Sequence, residues 1–331
     1  MDLTTRYLGL DLPHPFMPGA SPMVDDLDTV RRLEDAGAAA IVMHSLFEEQ
    51  IEHESLTLGG LLDGTALSEA TSFLPDAGDF ALGPEEYLEQ VRMVREAVAV
   101  PVIGSLNGVA GGRWLEYARL IAEAGADALE LNVYQVAADP EVPSSAIEDE
   151  IVAMVEELKR RVAVPVAVKL SPYLTALAHL ARRLEAAGAD GLVLFNRFYQ
   201  ADIDVDELEV DRRLRLSDST ALLLRIRWLA ILSSQLEISL ASTGGVHTPT
   251  DAVKALMTGA DAIQVVSALL QRGPSYLGGL RRGVEVWLEE REYSSLDELK
   301  GSMSLARCPD PGAYMRANYI QLLQSLRGIG F

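Results

Sequence analysis

Residues 242–252 read STGGVHTPTDA, a stretch whose chemistry is specific. The pair Gly244 and Gly245 lets backbone N–H groups approach an anion closely, and a helix start near Thr250 would add unpaired donors. Together with Ser267 this makes a candidate phosphate cradle; the alternative is a tight turn with no ligand. Lys169, in VKLSPY, ends an apolar run. It can neutralise a developing anion, form a Schiff base as a free amine, or simply be ion-paired. His44, beside Ser45, could carry a proton near neutral pH or be satisfied by backbone groups. Asn107, Asn132 and Asn196 also close apolar runs. Asparagine is poor in strands and costly to bury without partners, so its repeated placement asks for a polar ligand.

These residues must be positioned by a recurrent framework. LEDAGAAAIVMHS (33–45), IAEAGADALELNVY (121–134), LEAAGADGLVLFN (184–196) and LMTGADAIQVVSA (256–268) share one plan: a helix stopped at Gly-Ala, then a short apolar strand with a polar residue at its far end. VAVPVIGSLNG (98–108), VAVPVAVKLSP (162–172), QLEISLASTGG (235–245) and PFMPGAS (15–21) supply the other strands. The expected strands are 16–20, 39–44, 102–105, 128–132, 166–170, 191–195, 238–242 and 262–266. Helical patterns separate them, for instance over 26–36, 113–124, 146–162 and 174–187.

Short strands that are apolar on both faces fit a parallel sheet covered by helices. Eight strand–helix units predict an α/β protein with a (β/α)8 TIM barrel as a single domain over 1–331. Residues 1–13 read as a β-hairpin closing the barrel bottom, and 290–331 as a C-terminal helical extension. The connections 45–83 and 197–218 are long enough to be active-site loops. In such a barrel the strand ends converge on one mouth, so Ser21, His44, Asn107, Asn132, Lys169, Asn196, Gly244, Gly245 and Ser267 should meet there.

A net charge of −21 over 331 residues argues against nucleic acid or an anionic membrane surface as partner. No apolar run approaches the roughly 20 residues of a membrane helix. The opening MDLTTRYLGLDL has neither a basic leader nor an apolar signal core, so a cytoplasmic protein is expected. The single cysteine, Cys308, cannot make an intrachain disulfide, an iron–sulfur cluster or a cysteine zinc site. No GxGxxG follows a strand, so a Rossmann dinucleotide site is not supported.

At these residues the chain resembles the dihydroorotate dehydrogenase family of FMN-dependent barrels. ELN at the fourth strand, VKLSPY at the fifth, FN at the sixth and STGG…TGADAIQVVSALL at the last two carry the resemblance. It implies FMN as cofactor, with Ala20 and Ser21 against the isoalloxazine and Asn107 and Asn132 at its polar edge. Lys169 would stabilise negative charge on reduced flavin, and Gly244, Gly245, Val266 and Ser267 would hold the phosphate. Asn132 and Asn196 would also touch substrate. The soluble members are often dimers, which makes a homodimer an expectation here.

Several positions depart from the family pattern. Where it places the cysteine or serine that removes a proton from dihydroorotate, this chain has Gln135, and an amide is no base. Ala137 replaces an orotate-contacting asparagine, Met43 the second-strand lysine, and a residue near Ala70 a further asparagine. Arg197 follows Asn196 where serine or threonine is expected, and RLRLSDS (213–219) replaces a glycine-rich patch. Arg197 could clamp a carboxylate or pair with the acidic stretch DIDVDELEVD. Tyr134 could close the pocket or, with its pKa lowered, act in catalysis.

The expectation is therefore an FMN oxidoreductase acting on a small, acidic substrate other than dihydroorotate, with His44, Lys169 and Tyr134 as catalytic candidates and an unidentified electron acceptor. Two alternatives stand beside it: a flavin-binding scaffold without activity, and a Schiff-base lyase using Lys169.

Overall fold

The computed structural model describes residues 1–48, 50–51, 83–108, 113–197, 201–211 and 215–315. A hairpin of β1 (Thr5–Tyr7) and β2 (Leu10–Leu12) comes first. Eight parallel strands then form one sheet: β3 (Phe16–Pro18), β4 (Ile41–Leu46), β5 (Val102–Asn107), β6 (Ala128–Asn132), β7 (Val166–Leu170), β8 (Gly191–Leu194), β11 (Ser239–Thr243) and β12 (Ala262–Val265). Between β8 and β11 a small antiparallel pair intervenes, β9 (Asp202–Asp204) and β10 (Glu209–Asp211). The sheet order is β3-β12-β11-β8-β7-β6-β5-β4. The ring closes where Ala39 N–H, just ahead of β4, donates to Phe16 O of β3 at 2.9 Å. This is the (β/α)8 barrel, with the expected strands displaced by only a few residues at their ends.

Around it lie α1 (Leu27–Asp35), α2 (Pro84–Ala97), α3 (Trp114–Glu123), α4 (Ser144–Arg161), α5 (Leu177–Ala186), α6 (Leu222–Leu232), α7 (Pro249–Met257), α8 (Ser267–Arg272) and α9 (Tyr276–Glu289). Beyond α9 the chain adds the single turn α10 (Leu296–Leu299) and a 3₁₀ turn at Pro311–Tyr314. The rest of the expected C-terminal helix, most of loop 45–83 and the position near Ala70 lie outside the described residues.

Strand alternation divides the core in two. Leu129, Val168, Leu192 and Ile263 face the helices in the larger cluster. Ala128, Ala167, Ala241 and Ala262 face inward, and their small side chains leave room for Tyr7, Leu8 and Leu12 of the hairpin. Leu8 N–H donates to Ser239 Oγ at 3.0 Å, and Thr5 Oγ1 donates to Asp261 O at 2.9 Å. The hairpin thus plugs the barrel bottom.

The repeated Gly-Ala-Asp has a structural use beyond ending a helix. Asp127, Asp190 and Asp261 each accept a hydrogen bond from the first N–H of a neighbouring strand or the residue beside it: Val102 at 2.8 Å, Val166 at 2.7 Å and Leu240 at 2.7 Å. Each carboxylate satisfies a backbone donor at a barrel strand's start and so fixes strand stagger. Among the described residues no helix is long and apolar enough to cross a membrane, and no metal-ligating cluster is present.

Candidate active site

A cavity of about 480 Å³ opens at the C-terminal ends of the strands. Ala20, Ser21, His44, Asn132 and Lys169 line one side; Asn196, Arg197, Gly244, Val266 and Ser267 line the other. Of the residues singled out in the sequence, Asn107, Gly245 and Tyr134 are not in its wall. Asn107 is buried and paired in register with Asn132, while its Oδ1 has no hydrogen-bond partner among the described residues. The buried Ser21 Oγ is likewise without one.

Lys169 reaches the cavity from β7, and its ammonium donates to Glu130 Oε1 at 3.0 Å. Glu130 is fully buried one inward step below Asn132 on β6, and its Oε2 accepts from Gln264 Nε2 at 2.6 Å. A buried carboxylate needs such partners. The ammonium is therefore committed to a salt bridge, whereas Schiff-base chemistry needs a free amine. Glu130 stands in the ELN motif, but its role is set by the neighbours that strand pairing brings.

On β4 the pairing with β5 slips between Val42 and Ser45. This irregularity turns both His44 and Ser45 toward the cavity, a common use of bulges near functional sites. Met43, where the family carries a lysine, is buried in the outer core. His44 Nδ1 lies 2.5 Å from Asp25 Oδ1, close enough for an ion pair although poorly angled for a hydrogen bond. Burial lowers the His44 pKa, and Asp25 opposes without reversing the shift. The ring meets Tyr87 edge-on at 4.9 Å, and the Tyr87 hydroxyl sits 2.9 Å from His44 O and 2.8 Å from Ser105 O.

A chain of polar side chains crosses the cavity floor. Asn196 Nδ2 donates to Asn132 Oδ1, Asn132 Nδ2 donates to Ser45 Oγ at 3.5 Å, and Ser45 shares a 2.8 Å hydrogen bond with Ser105. These bonds fix which amide atoms remain for a ligand. Arg197 stands at the mouth and donates to the Arg215 carbonyl; it is Arg215 that pairs with Asp202 of the acidic stretch, at 2.5 Å.

At the glycine end, Gly244 and Gly245 both have φ near the left-handed region, 80° and 85°. Gly245 packs so closely that a Cβ would meet Leu222 N at 2.4 Å. Its N–H points at Ser217 Oγ, 3.3 Å away, and Ser217 bonds to Ser267 Oγ at 2.9 Å. The RLRLSDS segment thus brings a hydroxyl to this end in place of glycine. The start of α7 is closed by its own side chains: Asp251 Oδ2 accepts from His247 N, Thr248 N and Ser219 Oγ. His247 N–H and Thr248 N–H are thereby occupied and are not offered to a cradle.

Arg225, from α6, is the cation at this end. Its guanidinium donates to Thr243 O at 2.6 Å, Ala221 O at 2.7 Å and Phe195 O at 3.3 Å, with no carboxylate partner among the described residues. Burial, with the Arg197 charge, lowers its pKa to about 10. The sequence reading missed it: LLLRIRWLAIL holds two arginines, Arg225 and Arg227, and nothing in the segment tells which of them turns inward. Asp25 was also missed; its neighbour Asp26 caps α1, with Oδ2 accepting from Thr29 N at 3.0 Å, and only the fold brings Asp25 to His44.

Beyond Asn132 the chain leaves the barrel. Gln135 and Ala137 line a separate cavity outside the strands, and Tyr134 is half-buried between the two.

Fold and site together define a (β/α)8 barrel with a polar ligand chamber at its C-terminal mouth, charged by the ammonium of Lys169 and the guanidinium groups of Arg197 and Arg225. The dihydroorotate dehydrogenase family profile matches residues 3–288, and the chain belongs to that family. A dihydroorotate dehydrogenase B (NAD(+)) catalytic subunit of Thermoplasma volcanium is 26% identical over 312 residues, covering 91% of this chain and 98% of that one. The protein of the same description from Methanothermobacter thermautotrophicus is 27% identical, over 90% and 97%. The one from Methanosarcina acetivorans is 31% identical over 65% of this chain and 70% of its own.

Proposed function

We propose that this chain is an FMN-dependent oxidoreductase that keeps the flavin-holding half of a dihydroorotate dehydrogenase and uses a rewritten substrate half. The observation that carries the reading is the distribution of charge and unpaired polar atoms in and beside one chamber. Among the described residues, Ser21 Oγ in the wall is buried without a partner, as is Oδ1 of Asn107 on the strand next to Asn132, and Arg225 is a buried cation that donates only to carbonyls. Such groups fit a polar, anionic ligand, and the chamber falls within the range of about 300–1,000 Å³ usual for cofactor pockets.

FMN, when bound, supplies the two-electron acceptor. Ala20, Ser21, Asn107 and Asn132 would hold its ring, and Lys169, held in place by Glu130, would face the part that gains negative charge. Gly244, Gly245, Val266 and Ser267 would hold the phosphate, with Arg225 and Ser217 beside them. In the substrate half, Asn132 and Asn196 offer amides and Arg197 a cation for an acidic group.

Gln135 cannot take a proton and faces another cavity, so the proton-transfer role passes to His44. Its Nδ1 is turned to Asp25, leaving Nε2 for the substrate. A base with a pKa below neutrality is in its working form at pH 7. Tyr134, two residues beyond Asn132 and half-buried outside the chamber wall, has no part in the chemistry and would close the pocket only over a bound ligand.

The relatives' description as a catalytic subunit favours a second chain as electron acceptor, one that brings its own redox group. The whole chain works as a single domain, with 45–83 and 197–218 as the loops over the chamber.

The test is spectroscopic. The purified protein, reconstituted with FMN if needed, should show flavin absorbance. Under anaerobic conditions a panel of small carboxylates should include one that bleaches it much faster than dihydroorotate does. A protein that takes up no FMN overturns the reading; rapid bleaching by dihydroorotate overturns the altered substrate while leaving the flavin site standing.

A further inference from the structure

The second cavity, about 550 Å³, lies outside the barrel between the segments that follow β6 and β7. Its walls share no residue with the flavin chamber. Val133, Val142, Ile147, Ile151 and Leu174 make it largely apolar. Into this lining projects Glu148, from the second turn of α4, with only 7% of its surface exposed. Among the described residues Glu148 has neither a hydrogen bond nor an ion pair. Buried carboxylates elsewhere in this protein are partnered, as Glu130 is by Lys169 and Gln264.

An apolar chamber with one uncompensated carboxylate selects for a cation on an apolar body, because a neutral ligand leaves the charge unpaired and an anion opposes it. Ser144 and Gln135 at the wall add groups able to accept the remaining ammonium protons. A protein of net charge −21 also concentrates cations around itself.

We infer that this cavity is a second ligand site, for a small amphiphilic amine whose ammonium pairs with Glu148 and whose apolar part fills the space between the β6–α4 and β7–α5 segments. The site does not depend on the flavin assignment.

Titration calorimetry of the full-length protein with 2-phenylethylammonium tests it, with 2-phenylethanol as the neutral counterpart. The ammonium should bind saturably at one site, at least tenfold tighter than the alcohol, and with unchanged affinity when FMN is present. Glu148→Gln should weaken ammonium binding at least tenfold. Val142→Trp, a substitution at the half-open rim, should block both ligands while leaving FMN binding intact. The proposal is overturned if the alcohol binds as well as the ammonium, if FMN competes with it, if Val142→Trp binds like the parent, or if no saturable binding is found.

Discussion

Lys169 and Glu130 face each other across neighbouring strands, 3.0 Å apart, one at the rim and the other sealed in the barrel interior. The carboxylate sets the height at which the ammonium stands, so the cation presented to the cavity is held from below. Breaking a buried pair by removing one partner strands the other charge, at about 3–5 kcal/mol. Glu130→Gln should therefore lower the unfolding free energy by about that amount in denaturant titration. The double variant Glu130→Gln/Lys169→Met should regain much of the stability but not the rate of flavin reduction. If the double variant reduces flavin like the parent, Lys169 has no part in the chemistry.

His44 and Asp25 make a pH-dependent prediction with a defined sign. Burial holds the His44 pKa below 6.5, and Asp25 pushes it the other way. Removing that carboxylate with Asp25→Asn takes away the raising influence, so the pKa falls further. The acid limb of the flavin-reduction profile should then move to lower pH. His44→Gln should slow the reaction by about 10²–10⁴-fold and erase the limb. An acid limb that moves upward in Asp25→Asn would show that another group carries the proton.

The barrel and most of the chamber were legible because both follow from short-range rules. Gly-Ala before an apolar strand sets the strand's start, and the polar residue at its end must then reach the C-terminal rim. Asn132, Asn196 and Ser267 are found this way. Asp25, Glu130 and Arg225 are not, since each acts through a partner distant in sequence: His44, Lys169 and the Thr243 carbonyl. The bulge that turns both His44 and Ser45 inward likewise depends on how β4 pairs with β5. Gln135 was legible as a lost base but not as a residue of a different cavity, because the direction of the chain after Asn132 is set by packing over α4.

Two glycines with almost the same backbone angle separate local strain from crowding. Gly245 has φ 85° and would drive a Cβ to 2.4 Å from Leu222 N, whereas Gly273 has φ 82° and open space around it. Gly273→Ala should cost about 1–3 kcal/mol, the strain of a backbone at φ 82° and ψ 167° that side chains avoid, with no crowding added. Gly245→Ala should cost more than that and also lower FMN affinity, because the backbone at the end of β11 must shift away from α6. Thermal melts with and without FMN measure both effects. Equal costs at the two positions would show that the crowding at Gly245 relaxes freely.

His14 gives the fold itself an acid sensitivity. Its ring is buried at 4% exposure, and Nδ1 accepts from Phe16 N–H at 3.2 Å beside the first barrel strand. Burial, then the Arg281 charge, lowers its pKa to about 4, against 6.5 in the unfolded chain. Between these values the unfolded chain binds a proton that the native state refuses. Stability from this group is complete above pH 6.5 and is lost as pH falls toward 4, up to about 3 kcal/mol at 1.36 kcal/mol per pKa unit. The carboxylates titrate in the same range, but they are common to parent and variant and cancel in a comparison. Unfolding free energies of the parent and His14→Gln at pH 7 and pH 4 should therefore differ in their pH dependence by about 3 kcal/mol, with the parent losing more. His44 is shifted in the same direction, so the variant should keep a residual histidine-dependent slope. If the two proteins lose stability in parallel, the proton is taken up elsewhere, and His14 is charged in the native state.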